Sequence, residues 1–171
     1  MIRVLRRGCV ASVLVFASAT VPPAAAQDSA DVARVRAELD RLYVVNAEAF
    51  MRGDIRALME LRSEGVHTIA GDGVVRDRAA MREYMQGIIN GIRKWNQITF
   101  VIDSVSVVAD TATAVVWQFL DRLALRPDNQ VHHVQTWVTQ RETWLRQSNR
   151  WLLWRVDQVR NQRRLVDRKP G

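Results

Sequence analysis

Thiol chemistry is all but missing from this 171-residue sequence, whose one cysteine is Cys9. That residue lies in a stretch composed like a secretory leader: Arg3, Arg6 and Arg7, an apolar run from Cys9 to Val21, then Ala24, Ala25 and Ala26 before Gln27. Cleavage after Ala26 removes 26 of the 171 residues, leaving 145 and no cysteine. An exported chain without thiols forms no disulfide, so packing must hold it, and thiol catalysis and cysteine metal sites are excluded. Long apolar runs are scarce as well. Cys9 to Val21 is shorter than the roughly 20 residues a membrane span needs, is interrupted by Ser12 and Ser18, and ends in Pro22-Pro23.

The three histidines, His67, His132 and His133, show no metal spacing. Neighbours on a strand point to opposite faces, so His132 and His133 cannot share one site without distortion. There is no phosphate-binding loop, nucleophile elbow or complete zinc motif, so no cofactor and no metal is expected. The formal charge of +7 includes three arginines of the leader and falls to +4 without them. The remaining excess gathers at Arg160, Arg163, Arg164, Arg168 and Lys169, and residues 163–171 read as a solvated basic tail, with contact to an anionic envelope surface as the alternative. Export and the lack of a recognition motif argue against nucleic acid.

What is abundant is tryptophan near the end. Trp137, Trp144, Trp151 and Trp154 lie in Val131 to Gln162, which reads as two antiparallel strands joined at Gln147-Ser148-Asn149. Earlier, Val32, Val35, Leu39, Leu42, Ala49 and Phe50 recur at helical spacing over Ala30 to Arg52, with Asn46 on the same stripe. A polar amide there must be paired or face a cavity. Gly53 suits a left-handed helix end and Asp54 a cap for a short second helix carrying Ile55, Leu58 and Met59, fraying over Ser63 to Gly65. Val66 to Ala70 reads as a brief strand, Gly71-Asp72-Gly73 as a turn, and Asp77 as the cap of a third helix with Met81, Tyr84, Met85, Ile88, Ile89 and Ile92 on its stripe. Ile98 to Val108 and Thr111 to Leu125 then alternate with period two, so four strands close the chain. Helices first and an antiparallel meander last predict an α+β domain with helices on one face of a curved sheet.

The order of these signals, with Gly53-Asp54, Gly71-Asp72-Gly73 and the closing pair Trp144 and Trp151, resembles the NTF2-like superfamily, and within it the SnoaL-like and DUF4440-type domains. The resemblance covers residues 27–162 and implies three N-terminal helices packed on a bent, mainly antiparallel sheet around a pocket, with dimerisation through the outer sheet face. It does not choose among the superfamily's isomerases, cyclases, hydrolases, dehydratases and non-catalytic members. The steroid-isomerase pattern places its tyrosine at Asn46 and its aspartate near Ile69 to Gly71, where no carboxylate stands.

Strand alternation, with Asn46 and the family pattern, selects the candidate pocket residues Gln118, Arg122, Gln140, Glu142, Arg155 and Asp157. Glu142 or Asp157 would serve as general base, with Arg155 orienting an anionic group. The structural alternative is cross-strand pairing of these charges. His67, near where the family's pockets open, is the remaining acid-base candidate. Trp117, Phe119, Trp137 and Trp154 form the expected outer-face patch for a homodimer, or else line the pocket and select an apolar ligand. Three readings follow. The protein binds a small, partly apolar molecule; or it is a small lyase, isomerase or hydrolase; or it is a dimeric interaction module.

Overall fold

A computed structural model describes residues 29–170 apart from Asp72; the leader, and with it the expected cleavage site, lies outside the described residues. The helix α1 spans Ser29–Arg52 and buries Val35, Leu39, Tyr43, Asn46 and Ala49, spaced by three and four so that one stripe meets the sheet. Gly53 ends it at φ +67°, a conformation that costs glycine nothing. Asp54 then caps α2 (Ile55–Glu60), its carboxylate accepting from the Ala57 N–H at 2.9 Å. The fray expected over Ser63 to Gly65 is instead strand β1 (Arg62–Ile69). Pairing decides it, for the Leu61 carbonyl accepts from the Leu153 N–H at 2.9 Å and β1 runs parallel to β6.

Strand β2 (Val75–Arg76) folds back on β1, and Asp77 caps α3 (Arg78–Gly91) by accepting from the Ala80 N–H. Of the stripe expected on α3, Met81 and Met85 are buried, whereas Tyr84 is 53% exposed and Ile92 is already extended. Strand β3 (Ile92–Val108) therefore begins earlier than expected. Its first residues pair with the end of β4 (Thr111–Leu125), and Trp95 packs edge-on against Phe50 of α1 at 6.1 Å. Strands β5 (Val131–Gln147) and β6 (Arg150–Val166) complete the meander, and β7 (Lys169–Pro170) pairs with the end of β6. The sheet order is β2-β1-β6-β5-β4-β3. The basic segment expected as a free tail from residue 163 is thus sheet as far as Val166, because Val134 to Trp137 offer it paired backbone.

Curvature comes from β6. One residue is in excess on β6 in three places: between the pairs Trp144 with Leu153 and Thr143 with Arg155, between Arg141 with Asp157 and Thr139 with Arg160, and between Thr139 with Arg160 and Trp137 with Arg163. Each is a bulge, and Gln158 and Asn161 take positive φ of 48° and 52° to make the latter two. A bulged strand bends and twists more strongly, so the sheet curls over its helices. At the closed end α1 packs on Ala112, Ala114, Ile102, Trp144 and Trp151, and the Trp151 indole donates to Glu38 Oε2 at 2.9 Å. At the other end α1 and α3 border the curl, and among the described residues no helix fills it.

Leu39 and Leu58 are fully buried in this closed end. Leu39→Ala is expected to lower the unfolding free energy by about 2–5 kcal/mol, read by urea denaturation; a loss below about 1 kcal/mol would mean that α1 does not pack as described.

Candidate functional site

The unfilled end of the curl is a cavity of about 360 Å³. Its walls are largely apolar, from Phe50, Met81, Met85, Ile88, Trp95, Phe100, Leu120, Val138 and Val156 among others. Volume and lining are those of an ordinary small-molecule pocket.

Polar groups gather at two places. At the floor stands Glu142, 3% exposed, on the same face of β5 as Gln140. The Tyr43 hydroxyl donates to Glu142 Oε2 at 2.7 Å, and Gln140 Nε2 donates to Oε1 at 2.6 Å. Tyr43 is fixed in turn by stacking on Phe100 at 5.3 Å and by the edge of Trp144 at 5.6 Å. Arg62 lies beside them, donating to Asn46 Oδ1 at 3.4 Å and to the Leu58 carbonyl. Two buried donors in this lining, Arg62 Nε and the Trp144 indole N–H, make no well-formed hydrogen bond, although Trp144 is close enough to influence both Tyr43 and Glu142.

Burial governs the ionisation of all three floor groups. It pushes the Glu142 carboxyl above the ordinary value of 4.5, against the donors Tyr43 and Gln140 and the charge of Arg62. Burial, then the charge of Glu142, pushes the Tyr43 hydroxyl well up, so Tyr43 stays a donor. Burial lowers Arg62 to about 10, with Glu142 opposing and Arg78 assisting.

The second polar group is at the mouth. Arg122 donates to Thr136 Oγ1 from both Nη1 and Nη2 at 3.2 Å and lies 5.9 Å from the Trp95 ring. Burial, then the charge of Arg164, lowers its pKa. Arg76 stacks over Tyr84 at 4.5 Å on the same rim.

The structure brings together Asn46, Gln118, Arg122, Gln140 and Glu142 on this lining. It does not bring Arg155, Asp157 or His67 there. The first bulge of β6 reverses the alternation after Leu153, so Asp157 faces outward and takes a two-pronged bond from Arg141 at 2.7 and 2.8 Å, with Arg155 Nε also at 2.7 Å. Its depressed pKa follows chiefly from the Arg141 hydrogen bonds. Asp157 is thus half of a cross-strand pair, not a base in the cavity, and Arg155 orients nothing inside it. His67 lies edge-on to Trp154 at 5.1 Å, away from the lining.

Trp117, Phe119 and Trp137 stack in sequence on the convex face, with Arg163 over Trp137 at 5.4 Å, so these rings do not line the pocket; Trp154 stands apart beside His67. His132 bridges Asp167 and Asp128 at 2.6 and 2.8 Å, and His133 meets Asp121 at 2.7 Å. Sequence reading passed over Tyr43 and Arg62 and assigned Arg164, which lies on the lining, to the basic tail. The signal for Tyr43 was its place four residues after Leu39 on the buried stripe; Arg62 had none.

A family model described as a SnoaL-like domain matches residues 35–155. No curated protein matches the chain. Among solved structures, one from Novosphingobium aromaticivorans, provisionally assigned as a scytalone dehydratase, is 14% identical and covers 80% of this chain and 90% of its own, with a TM-score of 0.65. A provisional dehydratase of the NTF2-like family from Streptomyces avermitilis is 19% identical over 71% of this chain and 92% of its own, with a TM-score of 0.57. A conserved protein from Planctomyces limnophilus is 12% identical over 75% and 98%, with a TM-score of 0.62. At these identities the likeness establishes the NTF2-like fold.

Because the folded state holds the Glu142 proton more tightly than the unfolded chain does, stability falls as pH rises from 4.5 through the raised value. The depressed Asp157 acts below 3.8, outside that window. In urea unfolding, Glu142→Gln is therefore expected to gain on wild type as pH rises above 4.5. A difference that is constant with pH would contradict the shift.

Proposed function

As the chain belongs to the SnoaL-like domain family, we propose that its cone cavity binds a small, partly apolar molecule. The observation that carries this reading is the cavity itself, about 360 Å³ of mainly apolar wall with polar groups converging only at floor and mouth. Trp95 and Trp144 line it, so occupancy is readable in intrinsic fluorescence. N-phenyl-1-naphthylamine, a neutral apolar dye, is expected to bind the mature protein, and Leu120→Trp, which fills the cavity, to abolish that binding. Undiminished binding to Leu120→Trp would overturn the reading.

A second reading, proton-transfer catalysis, draws on Glu142. A carboxyl raised by burial exists in both protonation states closer to neutral pH than an exposed one, as an acid-base group requires. Elimination of water, the chemistry named for two of the structural neighbours, needs one group to take a proton beside the breaking bond and return one to the leaving hydroxyl. Glu142 can do both, while Tyr43, held protonated, orients it by donating to Oε2. For a substrate found by screening small hydroxylated compounds, Glu142→Gln is expected to cut kcat by about 10²–10⁴-fold and to preserve binding. Equal loss of both would leave Glu142 a binding group only.

The convex face supports a third element of the proposal, self-association. Trp117 is 36% exposed beside Phe119, Trp137 and the 47% exposed Val101. Sedimentation velocity is expected to show a homodimer that Trp117→Lys dissociates; a monomeric wild type would exclude the interaction-module reading. The leader composition supports an exported location, and no helix among the described residues is long and apolar enough to cross a membrane.

A further inference from the structure

We propose that the molecule taken by the cavity is an organic acid, its apolar body along the walls and its carboxylate or related oxyanion between Arg122 and Arg164 at the mouth. The inference rests on the small-molecule reading above and adds the ligand's charge and orientation.

The lining is electrostatically lopsided. Among the described residues, Arg62, Arg76, Arg122 and Arg164 contribute to it, and Glu142 is its one acid. Arg62 sits at the floor with Asn46 and within the field of Glu142. The mouth is less compensated: among the described residues, neither Arg122 nor Arg164 forms an ion pair with a carboxylate, and Asp121 acts on Arg122 only from the other face. Arg122 gives two N–H groups to Thr136 Oγ1 and reaches the Leu120 carbonyl at 3.4 Å, all neutral acceptors. A guanidinium carries five N–H donors in a fork that matches a carboxylate, so bonding capacity remains.

Asp121, the next residue on β4, is turned to the other face and taken by Asn96 at 2.7 Å, His133 at 2.7 Å and Gln135 at 2.8 Å. Arg164 pairs with Thr136 in the β5–β6 register and so stands across that hydroxyl from Arg122. The two cations feel each other, since the charge of Arg164 lowers the Arg122 pKa after burial does. Asp121 acts on Arg122 more weakly than Arg164 does and is already taken by its own donors, so two arginines held together at a partly buried rim with no paired carboxylate form an anion site by Coulomb's law.

The position also fits the floor. Thr136 and Glu142 are six residues apart on β5, about 20 Å along an extended strand. An anionic group at the mouth is thus well clear of the buried carboxylate, and the apolar body lies between.

The test compares two dyes that share an aryl body, the sulfonate 8-anilinonaphthalene-1-sulfonate and the neutral N-phenyl-1-naphthylamine, titrated into the mature chain. Arg122→Gln is expected to weaken the sulfonate about tenfold or more and the neutral dye by less than about twofold. Arg164→Gln, at an exposed position, should show the same selectivity more weakly, which guards against a folding defect in the first variant. Arg163→Gln, on the convex face beside Trp137, should leave the sulfonate unchanged. Added salt should weaken the sulfonate alone.

If Leu120→Trp excludes both dyes but Arg122→Gln and Arg164→Gln affect them equally or not at all, the pocket stands and the acid inference is wrong. If Leu120→Trp excludes neither, the pocket reading fails and this inference with it.

Discussion

The constraint on which the rest depends is the set of three bulges in β6. An unbulged 17-residue strand beside β5 would present every second side chain to the helices and leave a flatter sheet. With one residue inserted at each of three places, Leu153, Val156, Val159 and Gln162 reach the cavity at intervals of three, and the sheet curls enough to leave a hollow. The same insertions carry Arg155 and Asp157 to the outside, where they join Arg141. Cavity and outer ion cluster are two results of one backbone irregularity.

The hollow would be a poor place for an ionised carboxylate without help, and the floor supplies partial help. Tyr43 and Gln140 each donate to one oxygen, and Arg62 adds positive charge without closing into an ion pair. Burial still prevails, since the carboxyl remains raised and Arg62 is itself lowered by the same desolvation. The Tyr43 contact spans 99 positions of sequence and ties α1 to the middle of the sheet. A group that shapes the ligand's surroundings therefore also fixes the helix that roofs them. The mouth differs: among the described residues its arginines form no ion pair with an acid of the lining, so floor and mouth offer a ligand opposite electrostatics.

How much of this the sequence disclosed depends on where local rules hold. The α1 stripe, the Gly53 stop, the Asp54 and Asp77 caps and the turn at Ser148-Asn149 follow from short-range sterics and periodicity, and all are where the residues place them. Gln118, Arg122, Gln140 and Glu142 were legible as one face because β4 and β5 pair from Thr111 with Leu145 to Leu125 with Val131 without a shift. Arg155 and Asp157 were not, because no residue type marks the first bulge, between Leu153 and Arg155, which reverses the alternation before either is reached. Arg62 was hidden at a junction whose Ser63 and Gly65 read as a fraying helix, since the parallel partner that makes it a strand lies about ninety residues on.

The central claim is that Glu142 is a desolvated carboxyl on the floor of a ligand cavity. The most direct measurement is a carbon-13 NMR titration of the glutamate carboxyls, with the Glu142 resonance assigned by its loss in Glu142→Gln. The account requires a midpoint above the ordinary glutamate value of 4.5 that moves when N-phenyl-1-naphthylamine fills the cavity. A midpoint at or below that value, insensitive to the dye, would contradict it.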